Sequence, residues 1–381
     1  MSMPALADVL PLLPWLLPLP ALVALSLSAF NLLLWPRGRV GAARLSSVSV
    51  CIPARNEAVS IEACVTAALA LGADEVIVLD DGSTDDTPAI LSRLSTGRAD
   101  LRVVRLDAVL PEGWVGKVRA CWVLASLAHS EHLLFIDADV VVAPDALQRF
   151  ADLSTRYTAD VITAVPRQLT VGVVEKLVLP LLHLTYTSWL PLPLIWRTRD
   201  ARFLAANGQL LFMSRAALDD VGGFKSVRAE IVDDMALCRE MKRAGKRVVF
   251  ADGDLLGTCR MYRSPRAVID GFSKNLYEGL GSFVGLVGVV GWYAWAFVLP
   301  LLCLPFPTLR IPALVGVVAA LVLRLMHAWR HHSSVASAVL NPVGVCVLLA
   351  IAVRSWWWSR RGTIQWAGRI YPARNKRAVP T

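Results

Sequence analysis

The chain predicts an α/β domain built on a mostly parallel sheet, attached to apolar helices that cross a membrane. Three observations carry that prediction. Of 381 residues, 55% are hydrophobic and only 18% charged, well away from the balance of a water-soluble protein. The apolar excess is concentrated in residues 5–35 and again from 281 to 358, leaving a middle section of ordinary polarity. That middle section alternates strand-like and helix-like segments, the pattern of parallel sheets covered by helices.

Residues 5–35 hold one charged side chain, Asp8, and no Lys or Arg, enough to cross a hydrocarbon core that needs about 20 residues. A cleaved secretory leader is the competing reading; the missing basic n-region and the length of the apolar run count against it. Pro11, Pro14, Pro18 and Pro20 break the outer half, so the regular helix is expected from Ala21 to Trp35. Arg37, Arg39 and Arg44 follow, and the positive-inside rule places residue 36 onward in the cytoplasm, with the chain multi-pass in the cytoplasmic (inner) membrane. Seven scattered cysteines give neither a disulfide framework nor a zinc knuckle. A net charge of +9 raises nucleic acid as a partner, but much of it lies beside apolar stretches, where it suits anionic lipid headgroups. Membrane lipids are the expected partner, and nucleic acid is not.

From Ser47 the expected order is strand (VSVCI), helix (Glu57 to Ala70), strand (EVIVL), helix (Asp86 to Leu94), strand (LRVVRL), helix (Lys117 to Ala128) and strand (HLLFI). Ligands of such sheets bind beyond the carboxyl ends of the strands. "PARNE" follows the first strand, "DDGSTDD" the second and "DAD" the fourth, so all three face one rim. Alone, each has an ordinary reading: turn and helix-cap residues for DDGSTDD, a solvated strand end for Asp137 and Asp139. Together they crowd carboxylates that need a cation. Mg2+ or Mn2+ bridging a diphosphate answers that need, because hard divalent ions take carboxylate, phosphate and water oxygens.

"VCIPARNE", "VIVLDDGSTDDT", "GWVGKVRA", "LLFIDADV" and "VDDMALCREMKRAGKRV" resemble, in order and spacing, the motifs of family 2 glycosyltransferases with the GT-A fold, a Rossmann-like α/β architecture, over nearly all of residues 47–250. "NGQLLFMSR", "RMYRSP", "GFSKNLYEG" and "QWAGRIY" are similar to the bacterial membrane branch acting on carotenoids, hopanoids and related lipids. The resemblance implies a membrane-bound, metal-dependent, inverting enzyme. It would move one sugar from a nucleotide diphosphate sugar, UDP-glucose being the usual donor of that branch, to a hydroxyl of a lipid acceptor of carotenoid, hopanoid, glycerolipid or sphingolipid type.

By the same resemblance, Asp80 and Asp81, with Pro53, Arg55 and Glu57, hold the base and ribose of the donor, Asp81 foremost. Lys117 adds positive charge beside the diphosphate, helped by the start of its helix; a plain surface lysine is the even alternative. Asp139 is the direct metal ligand, and Asp137 lies nearer the ribose or the metal's water shell. Where the family reads Glu-Asp this chain has Asp233-Asp234, with Asp234 the catalytic base; first-turn acids complementing a helix dipole are the bland reading of the same pair. Gln209 matches a polar position on the acceptor side, with a buried structural glutamine as the alternative. Gln-x-x-Arg-Trp, the motif of processive members, is replaced by Gln365-Trp366-Ala367-Gly368-Arg369, which favours transfer of a single sugar and leaves Arg369 to reach the donor diphosphate or a lipid phosphate.

Residues 176–199 are apolar, interrupted by Pro180, Pro191 and Pro193 and flanked by Lys176, Arg197 and Arg199, and are expected to lie in the interface. Three apolar stretches follow, 281–306, 311–329 and 334–353. Three crossings would put the tail outside the cell, away from the site its "WAGR" string resembles. One stretch, the third with "LNPVG" in its middle, is therefore expected to be re-entrant or interfacial. The organisation is then an N-terminal transmembrane helix (1–36), a GT-A glycosyltransferase domain (37–280), a C-terminal membrane region (281–358) and a basic tail (359–381). Two rivals stay open: a polyprenyl-phosphate sugar transferase, for which Arg260, Arg263 and Arg266 would supply acceptor-side cations, and a non-catalytic membrane sensor of sugar nucleotides.

Overall fold

A computed structural model describes residues 10–41, 43–366 and 368–372. Asp8, Ala367 and residues 373–381 of the basic tail lie outside them. Contacts divide the described residues into two units: Trp35–Leu169, Leu192–Met261 and 361–372 fall in one, and 10–34, Thr170–Pro191 and Tyr262–Arg360 in the other. Pro180–Thr187, expected in the interface and within the glycosyltransferase domain, falls with the apolar helices, as does Pro265–Leu280.

The first unit is an eight-stranded mixed sheet in the order β3-β2-β1-β4-β7-β6-β8-β5. β1 (Val48–Ala54), β2 (Glu75–Asp80), β3 (Leu101–Arg105) and β4 (His132–Ile136) occupy the expected segments and pair in parallel, with β1 between β2 and β4. Strands buried on both faces read as near-continuous apolar runs, and alternation decides which face each side chain fills. Val50, Ile52, Val76, Val78, Leu134 and Ile136 pack against the helices carrying Ile61, Val65, Phe150 and Leu153. Phe135 points the other way, edge-on to Phe224 at 4.8 Å between ring centroids.

Beyond β4 come β7 (Leu210–Ser214), β6 (Val161–Gln168), β8 (Val248–Cys259) and β5 (Val140–Val142). The pairs β4–β7, β6–β7 and β5–β8 are antiparallel and β6–β8 parallel. Because the chain runs outward from β1 through β2 to β3 and then returns to β1's other side as β4, the topology switches between β1 and β4, which is where such sheets open a ligand crevice. The first helix starts at Ile61 rather than at the expected Glu57. Asn56 takes a positive φ of 57°, and the Glu57 carbonyl accepts from the Ser60 and Ile61 N–H groups at 3.0 and 2.9 Å. Glu57 is thereby left in a loop at the rim.

Among the described residues of the second unit three helices are long and apolar enough to cross a membrane: Leu12–Leu34, Arg310–Arg330 and Asn341–Arg361. The N-terminal one opens as a 3-10 turn over Leu10–Leu16 around Pro14 and becomes regular at Leu19–Leu34. The expectation of a re-entrant third stretch is corrected. Asn341–Arg361 is one continuous helix of 21 residues, about 31 Å long, because Pro342 falls in its first turn, where its missing N–H costs nothing. The stretch that falls short is the first: Phe283–Phe297 has 15 residues, about 22 Å, and is bent 116° from Pro265–Leu280. Proline also opens the short helices Pro180–Thr187 and Pro193–Arg197.

Polar side chains inside this unit join its segments. Asn31 Nδ2 donates to the Thr187 and Leu190 carbonyls at 2.7 Å, and the Ser28 and His327 side chains each lie 3.1 Å from Thr187 Oγ1. Helices gain no hydrophobic drive to associate in lipid, so such bonds and close packing must hold them.

Candidate active site

The loops after β1 and β2 are fastened to one another. Asn56 N donates to Ser83 Oγ and Glu57 N to Thr87 Oγ1, both at 2.8 Å; Thr84 N returns a bond to Asn56 Oδ1 at 2.8 Å, and Asp85 Oδ2 accepts from Ala58 N at 3.1 Å. Arg55 donates to the carbonyls of Asp81 and Gly82, and Asp80 Oδ1 accepts from Ser83 N at 2.9 Å. Much of DDGSTDD is therefore loop architecture. Pro53 is inside β1, opposite Leu79.

The remaining carboxylates converge on the first turn of one helix, Gly116–Leu127. Lys117 Nζ sits 2.5 Å from Asp137 Oδ1, with the two side chains 17% and 26% exposed, so it is not a plain surface lysine. Asp234 borders the same ammonium: the point a Cβ would occupy at Gly208 is 3.4 Å from Lys117 Nζ and 3.5 Å from Asp234 Oδ2. Glycine at 208 leaves that approach open. On the preceding residue, the corresponding point at Gly116 is 3.0 Å from Asp81 Oδ2. Asp233 and Asp234 open the helix Asp233–Arg243, and Met235 N donates to Asp234 Oδ1 at 2.8 Å. Asp81 thus comes beside the start of that helix, and Asp137 and Asp234 beside the ammonium its Lys117 carries; a helix N-terminus favours anions.

The electrostatics follow from crowding and burial. Burial raises the Asp233 carboxyl to about 6 against the pull of Lys117, and burial raises Asp234 as well, again opposed by Lys117. Burial lifts Glu57 to about 7, with Asp139 and Asp137 adding to the rise. Burial would lower the Lys117 ammonium, but Asp137 and Asp233 outweigh it and raise its pKa. Asp139 is lifted to about 6 by burial and by Asp137, and its Oδ1 is buried without a hydrogen-bond partner. An orphaned carboxylate oxygen beside a second carboxylate is the donor set a hard divalent cation accepts; Asp139 and Asp137 fit such an ion.

Residues 49–222 match the family model described as glycosyl transferase family 2. This stretch is a family 2 glycosyltransferase domain. Glucosyl-3-phosphoglycerate synthase of Mycobacterium tuberculosis (strain ATCC 25618 / H37Rv) is 36% identical over 113 residues, 28% of this chain and 33% of the relative's length; the chain thus spans about a third of that protein. The 4,4'-diaponeurosporenoate glycosyltransferase of Staphylococcus aureus (strain USA300) is 22% identical over 339 residues, covering 85% of this chain and 88% of the other. Among solved structures, a mannosyltransferase from Pyrobaculum calidifontis in complex with GDP-Man and Mn2+ aligns with a TM-score of 0.56 at 19% identity, over 93% of this chain and 98% of that one. The glycosyltransferase domain has the GT-A fold.

Other residues singled out in the sequence lie apart from that helix start. Gln209 is 4% exposed and bonded within the domain to Gln168 and Cys259. Arg260 directly follows β8 in the glycosyltransferase unit, whereas Arg263 and Arg266 are exposed and belong to the helical unit, Arg266 3.6 Å from Asp270. Arg369 has an unforeseen partner. It lies on a hairpin of β9 (Ile364–Trp366) and β10 (Arg369–Tyr371), and its guanidinium grips both Asp81 oxygens. Tyr371 Oη accepts from Gly116 N at 3.3 Å. A pairing across 288 residues leaves no local sequence signal.

Proposed function

We propose that this protein is a membrane-bound, inverting glycosyltransferase that moves a single sugar from a nucleotide diphosphate sugar, UDP-glucose in the first instance, to a hydroxyl of a lipid acceptor. The observation that supports this most is the gathering of Asp81, Asp137 and Asp234 about Gly116 and Lys117. Asp81 and Asp80, with the loop carrying Arg55 and Glu57, take the nucleoside. Lys117 and the helix start face the diphosphate, on which negative charge grows as the glycosidic bond breaks. Mn2+ or Mg2+ held by Asp139, with Asp137 beside it, would supply further positive charge to that leaving group. Asp234 accepts the proton of the attacking hydroxyl, and one in-line displacement inverts the anomeric carbon. The carotenoid-type acceptor named for the Staphylococcus aureus relative, aligned over most of both chains, supports an apolar alcohol as acceptor.

In this reading the site lies in the cytoplasm at the inner membrane: Arg37 and Arg39 support a first crossing that ends there, and crossings by Arg310–Arg330 and Asn341–Arg361 would return the chain to the same side. The Arg369–Asp81 pair, within one unit, agrees with a tail on the catalytic side.

Purified protein given radiolabelled sugar nucleotides and total membrane lipids is expected to form a labelled lipid with UDP-glucose and Mn2+, and none with EDTA. An acid-labile product on polyprenyl phosphate would replace this reading by its rival; nucleotide binding without product from any donor would replace it by the sensor. A further result is expected at the tail. Asp81 is 4% exposed with both oxygens held by Arg369, so a nucleoside must displace that guanidinium. Arg369→Ala should tighten UDP binding about 5-fold by calorimetry, the size of a modest ion pair. Weaker binding would instead make Arg369 a donor ligand.

A further inference from the structure

A full positive charge is buried in the helical unit. Arg324, in the helix Arg310–Arg330, is 1% exposed. Its Nη1 donates to the Pro180 carbonyl at 3.4 Å, a long bond, while Nε and Nη2 are buried and make no hydrogen bond among the described residues. Arginine cannot shed its proton to escape this, and a cation held in an apolar interior is costly unless paired. The described residues of this unit include three acids, and each is engaged elsewhere. Glu175 Oε2 accepts from Val171 N at 2.9 Å, Glu278 Oε1 accepts from Ser359 Oγ at 2.6 Å, and Asp270 lies 2.5 Å from Arg354.

Nε and Nη2 form one edge of the guanidinium, the fork that takes two oxygens of a single phosphate or carboxylate side by side. The helix face that carries this fork is fixed. His327, one turn on, has Nε2 3.1 Å from Thr187 Oγ1, and Thr187 closes the short helix that Pro180 opens. The surroundings narrow the source of an oxyanion. Leu321 and Leu325, three residues before Arg324 and one after it, are exposed, and so is Trp329, an aromatic suited to the headgroup level. Arg324 lies five residues before Trp329, about 8 Å of rise. Apolar surface therefore runs from that level to the flank of the guanidinium, which suits a molecule with an apolar tail and an oxyanion head better than a free ion.

We propose that the Nε–Nη2 edge of Arg324 binds the oxyanion of a membrane lipid headgroup, the lipid's tail lying along Leu321 and Leu325. The inference uses neither the sugar donor nor the catalytic acids, so it stands or falls apart from the transfer reaction.

The test is direct binding to the full-length protein in neutral detergent. Anisotropy is read for fluorescently labelled phosphatidylglycerol and for diacylglycerol with the same label and tails but no oxyanion, and folding is followed by the thermal melt. The wild type should hold phosphatidylglycerol about 10-fold or more tighter than diacylglycerol. Arg324→Met should bring the two lipids to within about 2-fold of each other, and Arg324→Lys, which keeps the charge and loses the fork, should forfeit most of the preference. Should Arg324→Met fail to fold, Arg324→Lys decides. A full preference in whichever of the two folds, or no preference in the wild type, overturns the proposal. Arg360→Gln, at an exposed cation over the Trp356 ring, should leave the preference intact; its loss there would put the lipid on the outer surface instead. Displacement of the label by inorganic phosphate at the concentration where unlabelled phosphatidylglycerol displaces it would make this a site for a free anion, and would equally overturn the lipid assignment.

Discussion

Asp234→Asn should abolish measurable sugar transfer, lowering the rate about a thousandfold, while UDP binding stays within about 2-fold. The substitution keeps the size of the side chain and an oxygen that can accept the Met235 N–H bond now made at 2.8 Å, so the helix start survives. What it removes is the capacity to take a proton. The opposing account makes Asp234 a first-turn acid that only complements its helix. That account predicts a melting point lowered by a stability loss of about 0.3–1 kcal/mol and a rate little changed. Single-turnover transfer and thermal melting on one preparation separate the two, and Asp233→Asn beside it shows whether the neighbouring acid shares the proton.

Strands were legible in this chain because burial on two faces imprints itself on composition. VSVCI, EVIVL and HLLFI fall within or fill the observed β1, β2 and β4, LRVVRL runs one residue past β3, and the motifs reach one rim because parallel strands end together. Position along a loop was less legible. The helix expected from Glu57 begins at Ile61 because Asn56 adopts a positive φ, a conformation asparagine tolerates without announcing it. Proline misled in the opposite direction: Pro342 looked like a break within an apolar stretch, but the helix starts with it. Arg369 was expected near the site from the likeness of its string, but its partner was not: the tail hairpin carries it to Asp81, and a contact between segments so distant leaves no spacing to read.

The largest effect on pH dependence is expected at Lys117. Asp233 and Asp234 are both raised by burial, Asp233 to about 6, and both are held down by the Lys117 ammonium. A base must be ionised to act, and burial raises Asp234 above the ordinary carboxylate range, so transfer should be full at higher pH and be lost on the acid side through that raised pKa. Lys117→Met keeps the length of the side chain and removes the charge. Asp137 then loses its partner at 2.5 Å, and each carboxylate meets the others' repulsion with no cation between them. Their pKa values must rise, so at pH 7 a larger fraction is protonated. The acid limb of the rate profile should move to higher pH, a loss that recovers toward pH 8.5, and the missing charge beside the diphosphate should lower the rate about 100-fold at every pH. A lysine that served only to stabilise the fold would give a different pattern. Its loss would lower the melting point, by the several kcal/mol of a broken buried pair at most and less here because both side chains keep some solvent, and the acid limb would stay where it was. Movement of that limb is therefore the observation that ties Lys117 to the ionisation of the base.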